Sequence, residues 1–116
     1  MSVVIYHNPR CSKSRETLAL LEEKNIQPQV VKYLEEPLSV ALLKELYAQL
    51  SLTQVRDMMR TKEDLYKELN LADVSLSDDA LFAVMVENPK LIERPIVVAN
   101  GKARHGRPPE QVLDIL

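Results

Sequence analysis

The sequence contains one cysteine, two glycines and no long run of apolar residues. A single cysteine excludes an internal disulfide framework and a four-thiolate zinc site. No apolar run approaches the roughly 18 residues that a membrane-spanning helix needs. The first ten residues, MSVVIYHNPR, lack the basic start and long apolar stretch of a secretory signal. We therefore expect a cytoplasmic protein that engages no membrane and keeps its thiol reduced.

The two glycines, Gly101 and Gly106, are too few for the GxGxxG loop that binds dinucleotides. Their spacing approaches that of a phosphate-binding loop, in which lysine and then serine or threonine follow the second glycine. Here Arg107 and Pro108 follow it, and proline has no N–H to give a phosphate. Both glycine-rich nucleotide sites are thereby excluded.

The charges are close to balanced, with 15 basic and 17 acidic residues and a net charge of −2. This balance gives no reason to expect nucleic acid as a partner. The 116 residues are 46% apolar and 28% charged, which is typical of one soluble globular domain with its own core. With an acidic surface and no feature that indicates assembly, we expect a monomer.

Hydrophobic patterns predict a βαβ unit at the start of the chain. Residues 3–6 are a β-branched and aromatic run, typical of a buried strand, and residues 30–33 predict a second strand. Between them, apolar residues recur at helical spacing from Cys11 onward. Because a crossover helix joins them, the two strands are expected to be parallel.

The rest of the sequence predicts a helical middle and a ββα end. The helical stretches of the middle lie at 38–50, 55–59, 63–69 and, capped by Ser77, 78–87. Two short extended runs around Asn100-Gly101 predict a hairpin with a type I′ turn, and a last helix covers 110–116. We interpret this α/β pattern as a thioredoxin-like fold: one domain over 1–116, with a four-stranded mixed sheet and a helical insertion at about 38–90.

Cys11 stands where the first strand gives way to the first helix. A thiol at that position faces unpaired backbone N–H groups and the positive end of a helix dipole, which both favour thiolate. Side chains able to lower the thiol pKa further flank it in the sequence: His7, Arg10, Lys13 and Arg15. These neighbours favour a reactive nucleophile over the alternative, a small buried hydrophobic residue.

Ser14 lies at the position where Cys-x-x-Cys redox domains carry their resolving thiol. The chain therefore cannot close a disulfide of its own, and a thiol from another molecule must resolve any adduct on Cys11. A Cys-x5-Arg phosphatase loop is excluded, because its arginine would fall on Thr17. A metal site is not expected, because His7 and Cys11 have no third ligand nearby in the sequence.

The segment YHNPRCSKSR, residues 6–15, resembles the active-site segment of the glutaredoxin-coupled arsenate reductases, the ArsC family. Later segments resemble other parts of that family in the same order: VRDMMR at 55–60 followed by YKEL at 66–69, ERPIVV at 93–98, and RHGRPPE at 104–110. The resemblance covers nearly the whole chain. It implies a thioredoxin-like domain with a helical insertion.

The same resemblance implies roles for individual residues. Cys11 would be the nucleophile that attacks arsenate, and Arg60, Arg94 and Arg107 would hold the oxyanion. Guanidinium groups suit this task, because they donate paired hydrogen bonds in a fixed plane. Each arginine has the alternative of being a solvated surface residue.

Four further residues would support the site. By resemblance, His7 would help to keep Cys11 ionised, and Pro95 would be the cis-proline beside the cysteine. Asn8 is either a turn former before Pro9 or a polar contact to the sulfur, and Ser14 has the alternative of being an ordinary residue of the first helical turn. Glutathione as co-substrate would attack the adduct and glutaredoxin would take over the mixed disulfide, with no bound cofactor.

Two rival functions remain open from the sequence. One is a glutathione-dependent thiol oxidoreductase of the same fold, without physiological arsenate activity. The other is a transcription regulator of the Spx type, whose redox-sensing members carry Cys-x-x-Cys near the N-terminus. The three arginines favour arsenate, and Ser14 argues against an internal disulfide switch.

Overall fold

The computed structural model describes residues 2–116, which form two units. The first unit comprises the described residues up to Glu36 together with Arg94–Leu116, and the second is Pro37–Glu93. The second unit covers the segment in which the sequence predicts a helical insertion, and the assignment of 1–116 to one domain stays a prediction. Within residues 2–116, no helix is both long enough and apolar enough to cross a membrane.

The first unit is built on a four-stranded mixed sheet. Its strands, numbered along the chain, are β1 (Val3–Tyr6), β2 (Gln29–Val31), β3 (Ile96–Ala99) and β4 (Lys102–His105). The order across the sheet is β2-β1-β3-β4; β1 pairs parallel with β2, and the other two pairings are antiparallel. The predicted α/β, thioredoxin-like fold with a four-stranded mixed sheet is confirmed.

One face of this sheet carries the core of the unit. Helix α1 (Ser12–Glu23) and a C-terminal 3₁₀ helix (Pro109–Ile115) both contribute to it. Alternate residues of β1 and β3 point the same way, as the two-residue period of a strand requires. The buried cluster consists of Val3, Ile5, Leu21, Val97, Ala99, Val112 and Ile115. This packing holds α1 against β1, and Cys11 lies in the loop that joins them.

The β3–β4 hairpin has the turn that its sequence predicts. Asn100 and Gly101 both have positive φ, at 55° and 75°. A type I′ turn requires this at its two central residues, and asparagine and glycine tolerate it best. The short turn places β4 directly beside β3. The residues before β3 and the residues after β4 therefore lie next to each other at the open end of the hairpin.

The second unit is helical. Its helices are α2 (Val40–Leu50), α3 (Asp64–Glu68) and α4 (Asp78–Glu87), with 3₁₀ helices at Val55–Met58 and Pro89–Leu91. Ser39 and Ser77 cap α2 and α4, each side chain accepting from a backbone N–H three residues on. Buried residues from several of these helices face one another inside the unit, among them Leu43, Leu46, Leu81 and Met85.

Two expected elements differ from the structure. Strand β2 ends at Val31 rather than reaching Tyr33, because the Lys32 carbonyl accepts turn hydrogen bonds from the N–H groups of Glu35 and Glu36. The expected last helix is a 3₁₀ helix that begins at Pro109. With three residues per turn, this winding puts Val112 and Ile115 on the same side, where both are buried.

Candidate active site

A tight loop carries Cys11 from the end of β1 into the first turn of α1. Asn8 organises the loop, because its backbone carbonyl accepts from the Cys11 N–H at 3.0 Å and its side-chain oxygen accepts from the Arg10 N–H at 3.0 Å. Asn8 is therefore the turn former of the two alternatives that the sequence leaves open. Cys11 has extended backbone (φ −92°, ψ 124°) and occupies the N-cap of α1.

Cys11 is buried, with 8% of the residue exposed, yet the pKa of its thiol lies below the ordinary value. Burial raises the pKa, but four groups together outweigh it: the backbone N–H groups of Ser14 and Lys13, and the positive charges of Arg94 and Arg107. The N–H groups face the sulfur without a close capping hydrogen bond. The helix N-terminus thus favours the thiolate through its backbone N–H donors, as the position of Cys11 predicts.

The charged neighbours of Cys11 in the sequence are not the charges that lower its pKa. The Lys13 ammonium pairs with Glu16 at 3.3 Å, and the Arg15 guanidinium donates to the Pro9 carbonyl at 3.0 Å. Neither charge is among the causes of the shift, and nor is that of Arg10. The prediction was wrong on this point, since the charges of Lys13 and Arg15 are engaged by these other partners and the positive charges that lower the pKa come from Arg94 and Arg107.

Two arginines from the far end of the chain contact the thiol or act on it. The Arg107 guanidinium donates through Nη2 to Cys11 Sγ at 3.8 Å and through Nε to the Arg94 carbonyl at 2.8 Å. The Arg94–Pro95 peptide bond is cis, as the resemblance implies for Pro95, and so is the Arg107–Pro108 bond. The structure thus brings Cys11, Arg94 and Arg107 together. The guanidinium N–H groups of the two arginines are donors suited to binding an oxyanion.

His7 and Ser14 form a buried polar pair behind the loop. His7 Nδ1 lies 2.6 Å from Ser14 Oγ, which also accepts from the Asn8 N–H at 3.0 Å. Burial lowers the His7 pKa, and the charges of Lys32 and Arg15 lower it further. His7 is therefore largely uncharged at neutral pH, and no imidazolium charge is among the causes of the Cys11 pKa shift. Its catalytic role stays a prediction.

Thr17 and Gly106 support the site, and the sequence analysis did not assign either of them to it. The Gly106 N–H donates to the Pro95 carbonyl at 3.0 Å, and Thr17 Oγ1 bonds to the Lys13 carbonyl at 2.8 Å. A methyl group on Gly106 would clash with Thr17 Oγ1 and would come within 2.8 Å of the Pro95 ring. Gly106 is therefore needed for a close approach that also positions its neighbour, Arg107.

Arg60, the third predicted oxyanion ligand, belongs to the helical unit. Its backbone N–H donates to the Leu91 carbonyl at 2.7 Å, and its guanidinium pairs with Glu63 at 3.0 Å. Its role in binding an anion stays a prediction. Among the described residues, no three side chains of the metal-ligating types form a group that could hold an ion.

Replacing Arg107 with glutamine should shift the pH profile of Cys11 alkylation upward. Thiolate is the reacting form, so the rate rises as pH passes through the thiol pKa. Removing the positive charge 3.8 Å from the sulfur raises that pKa, and alkylation below the midpoint slows. Iodoacetamide rates measured from pH 5 to 10 give the midpoint.

Lys24→Gln is the control for this variant, because Lys24 lies at the C-terminal cap of α1, the opposite end of the helix from Cys11. It removes the same charge and should leave the midpoint unchanged. An Arg107→Gln midpoint equal to that of the native chain would show that the guanidinium does not stabilise the thiolate.

Known proteins resemble this chain in both sequence and fold. A solved structure of an arsenate reductase from Vibrio cholerae superposes with a TM-score of 0.99 at 76% identity, covering 100% of this chain and 98% of that one. A Haemophilus influenzae protein named arsenate reductase is 57% identical over 116 residues, the whole of both chains. The uncharacterised Escherichia coli protein YfgD is 67% identical over 98% of this chain and 96% of its own.

The family match extends over almost the whole chain. The model of the ArsC family matches residues 6–115, from the strand before Cys11 to the last buried residue of the C-terminal 3₁₀ helix. The cysteine, the two Arg-Pro pairs and Arg60 all fall inside this match. With the match running over almost the full sequence, the chain belongs to the ArsC family.

Proposed function

We propose that this chain is an arsenate reductase that converts arsenate to arsenite through a cysteine–arsenate adduct, which glutathione and glutaredoxin resolve. The observation that carries the proposal is the Arg107 guanidinium 3.8 Å from a buried thiol of lowered pKa. A cation in that place serves both the thiolate and an incoming oxyanion. Relatives named arsenate reductase, at 57% and 76% identity, support the same assignment.

The first step forms the adduct. The Cys11 thiolate attacks arsenic in H₂AsO₄⁻ and, with one proton, displaces a hydroxide as water, leaving a Cys11 S–As bond and an HAsO₃ group of charge −1. Arg94 and Arg107, joined by Arg60, would hold the oxygens and offset their charge. Because the arginines that favour the thiolate also bind the anion, nucleophile activation and substrate binding have one electrostatic source.

The second step reduces arsenic. Glutathione thiol attacks Cys11 Sγ, a sulfur–sulfur bond forms, and arsenic leaves with the electron pair of the S–As bond. With the thiol proton and one further proton taken up, it departs as H₃AsO₃. Arsenic passes from the pentavalent to the trivalent state while two thiols become one disulfide. Glutaredoxin thiolate then takes the glutathione as its own mixed disulfide and returns the Cys11 thiolate.

The remaining site residues would support these steps without touching arsenic. Asn8 and Ser14 hold the loop, His7 acts through the Ser14 hydroxyl, and Pro95 shapes the wall beside the cysteine. With Ser14 in place of a second cysteine, the resolving thiol must come from outside. The proposal includes a cytoplasmic monomer with no bound cofactor, metal, nucleic acid or membrane, since glutathione and a reduced thiol belong to that compartment.

The test is arsenite release from arsenate by the purified chain. Turnover is expected only when arsenate, glutathione and glutaredoxin are all present, and leaving out each component in turn is the control. Absence of turnover in the complete mixture, with Cys11 still alkylated at low pH, would overturn arsenate as substrate. That result would favour the thiol oxidoreductase.

A further inference from the structure

A cleft of about 270 Å³ lies beside the loop that leads into Cys11. Residues 7–10 form one wall, and Lys32, Leu34 and Glu35 from the turn after β2 form the other. Backbone hydrogen bonds hold both walls: Cys11 N–H to the Asn8 carbonyl on one side, and Glu35 N–H to the Lys32 carbonyl, at 2.9 Å, on the other. The cleft is thus a feature of two hydrogen-bonded turns.

Three charged side chains line the cleft. Arg10, Lys32 and Glu35 are all exposed, and among the described residues none of the three forms a salt bridge. The Lys32 ammonium lies close enough to His7 to lower the pKa of that imidazole, which places its charge toward the loop. Leu34, 43% exposed, adds an apolar surface on the same wall.

We propose that this cleft, called here the Lys32 cleft, binds the glutathione that resolves the Cys11 adduct, an inference that rests on the proposed function. Glutathione carries two carboxylates and one ammonium, which is the inverse of the two cations and one carboxylate of the cleft. Lys32 and Arg10 pair with its carboxylates, and Glu35 pairs with its ammonium. Leu34 packs against its methylene groups.

The cleft reaches the residue that precedes Cys11. Arg10 lines the cleft and directly precedes Cys11, so their Cα atoms are about 3.8 Å apart. The Cys11 N–H folds back onto the Asn8 carbonyl at 3.0 Å, which keeps the cysteine beside the wall. A tripeptide is roughly 10 Å long, and we place glutathione with its termini in the cleft and its central thiol toward the neighbouring Cys11.

The test follows a reaction that needs no arsenate. The Cys11 thiolate attacks one sulfur of oxidised glutathione, forms Cys11–S–S–glutathione and releases one glutathione thiolate. Mass spectrometry quantifies the mixed disulfide on the protein, and an absorbance assay quantifies the released thiolate. Lys32→Glu should slow this reaction roughly tenfold, since it replaces an attraction with a repulsion. Lys24→Glu, the same charge change at the far end of α1, should change the rate by less than about twofold.

A neutral probe separates binding from sulfur reactivity. Hydroxyethyl disulfide has the same sulfur chemistry without carboxylates, and its rate should be equal in Lys32→Glu and the native chain. Equal loss with both disulfides would overturn the proposal, because the variant would then have altered the thiol. Equal rates of Lys32→Glu and Lys24→Glu with oxidised glutathione would overturn it as well.

Arsenate turnover distinguishes the two proposals. If the chain reduces arsenate but Lys32→Glu leaves the KM for glutathione unchanged, the Lys32 cleft is wrong and the reductase stands. If arsenate is not reduced but Lys32→Glu selectively slows the reaction with oxidised glutathione, the cleft is a glutathione site of a thiol oxidoreductase.

Discussion

Replacing Cys11 with serine is expected to abolish arsenite formation, with a fall of at least about 1,000-fold. The hydroxyl is similar in size to the thiol but is not ionised by the groups around it, so neither the adduct nor the mixed disulfide can form. The N-cap position accepts serine, so the fold should be kept. Arsenite release with glutathione and glutaredoxin, together with urea unfolding of both chains, measures the two effects separately.

The adjacent Ser12→Ala variant is the matched control. Ser12 is the first residue of α1, is exposed, and its side chain makes no hydrogen bond within residues 2–116. It should therefore keep nearly native turnover. Arsenite production by Cys11→Ser at the native rate would mean that arsenate is reduced without Cys11, and the adduct mechanism would be abandoned.

The beginning of the fold was predictable because its signals are local. The β-branched run of β1, the helical spacing after Cys11 and the Asn100-Gly101 turn each specify a backbone shape within a few residues. The Ser77 cap predicted where α4 begins for the same reason. These elements needed no knowledge of what they pack against.

The end of β2 was less predictable, since two hydrogen-bonding patterns compete there. The alternation of Val31 and Tyr33 favours a longer strand, but the Lys32 carbonyl is taken by the turn that follows. Tyr33 is buried all the same, so burial alone produces the pattern that resembles a strand. The walls of the Lys32 cleft depend on this turn, and the sequence therefore contained no clear signal for the cleft.

The cause of the Cys11 pKa shift was predictable only in part. The helix N-terminus follows from local pattern, whereas Arg107 lies 96 positions from the cysteine. Lys13 and Arg15 were predicted to lower the thiol pKa because they are close to Cys11 in the sequence. Their charges are instead engaged by Glu16 and the Pro9 carbonyl. The family resemblance, which reflects the folded site, identified the distant arginines that periodicity could not.

Replacing Gly106 with alanine should lower the free energy of unfolding by about 1–3 kcal/mol and reduce turnover by roughly 10- to 100-fold. The new methyl group would clash with Thr17 Oγ1 and would meet the Pro95 ring at 2.8 Å. Thr17 is fully buried and held by its bond to the Lys13 carbonyl, and a proline ring cannot turn aside. The backbone must move instead, and it carries Arg107 with it.

A second substitution at Thr17 tests whether that contact is the cause. Thr17→Ala removes both threonine atoms that the new methyl group would meet, so the Gly106→Ala/Thr17→Ala pair should recover part of the stability and turnover, with a coupling of about 0.5–3 kcal/mol. Thr17→Val keeps the shape and should not rescue. Urea unfolding midpoints and arsenite release give both quantities.

Gly101 provides the matched control for the loss of a glycine. A Cβ there meets nothing within 4 Å, and asparagine tolerates its φ of +75°, so Gly101→Asn should be close to native. Native stability and turnover in Gly106→Ala would contradict the role assigned to this contact. The Gly106→Ala chain is expected to fold while its Cys11 is alkylated with the upward-shifted pH profile of Arg107→Gln. That result would link the packing of one glycine to the charge that activates the thiol.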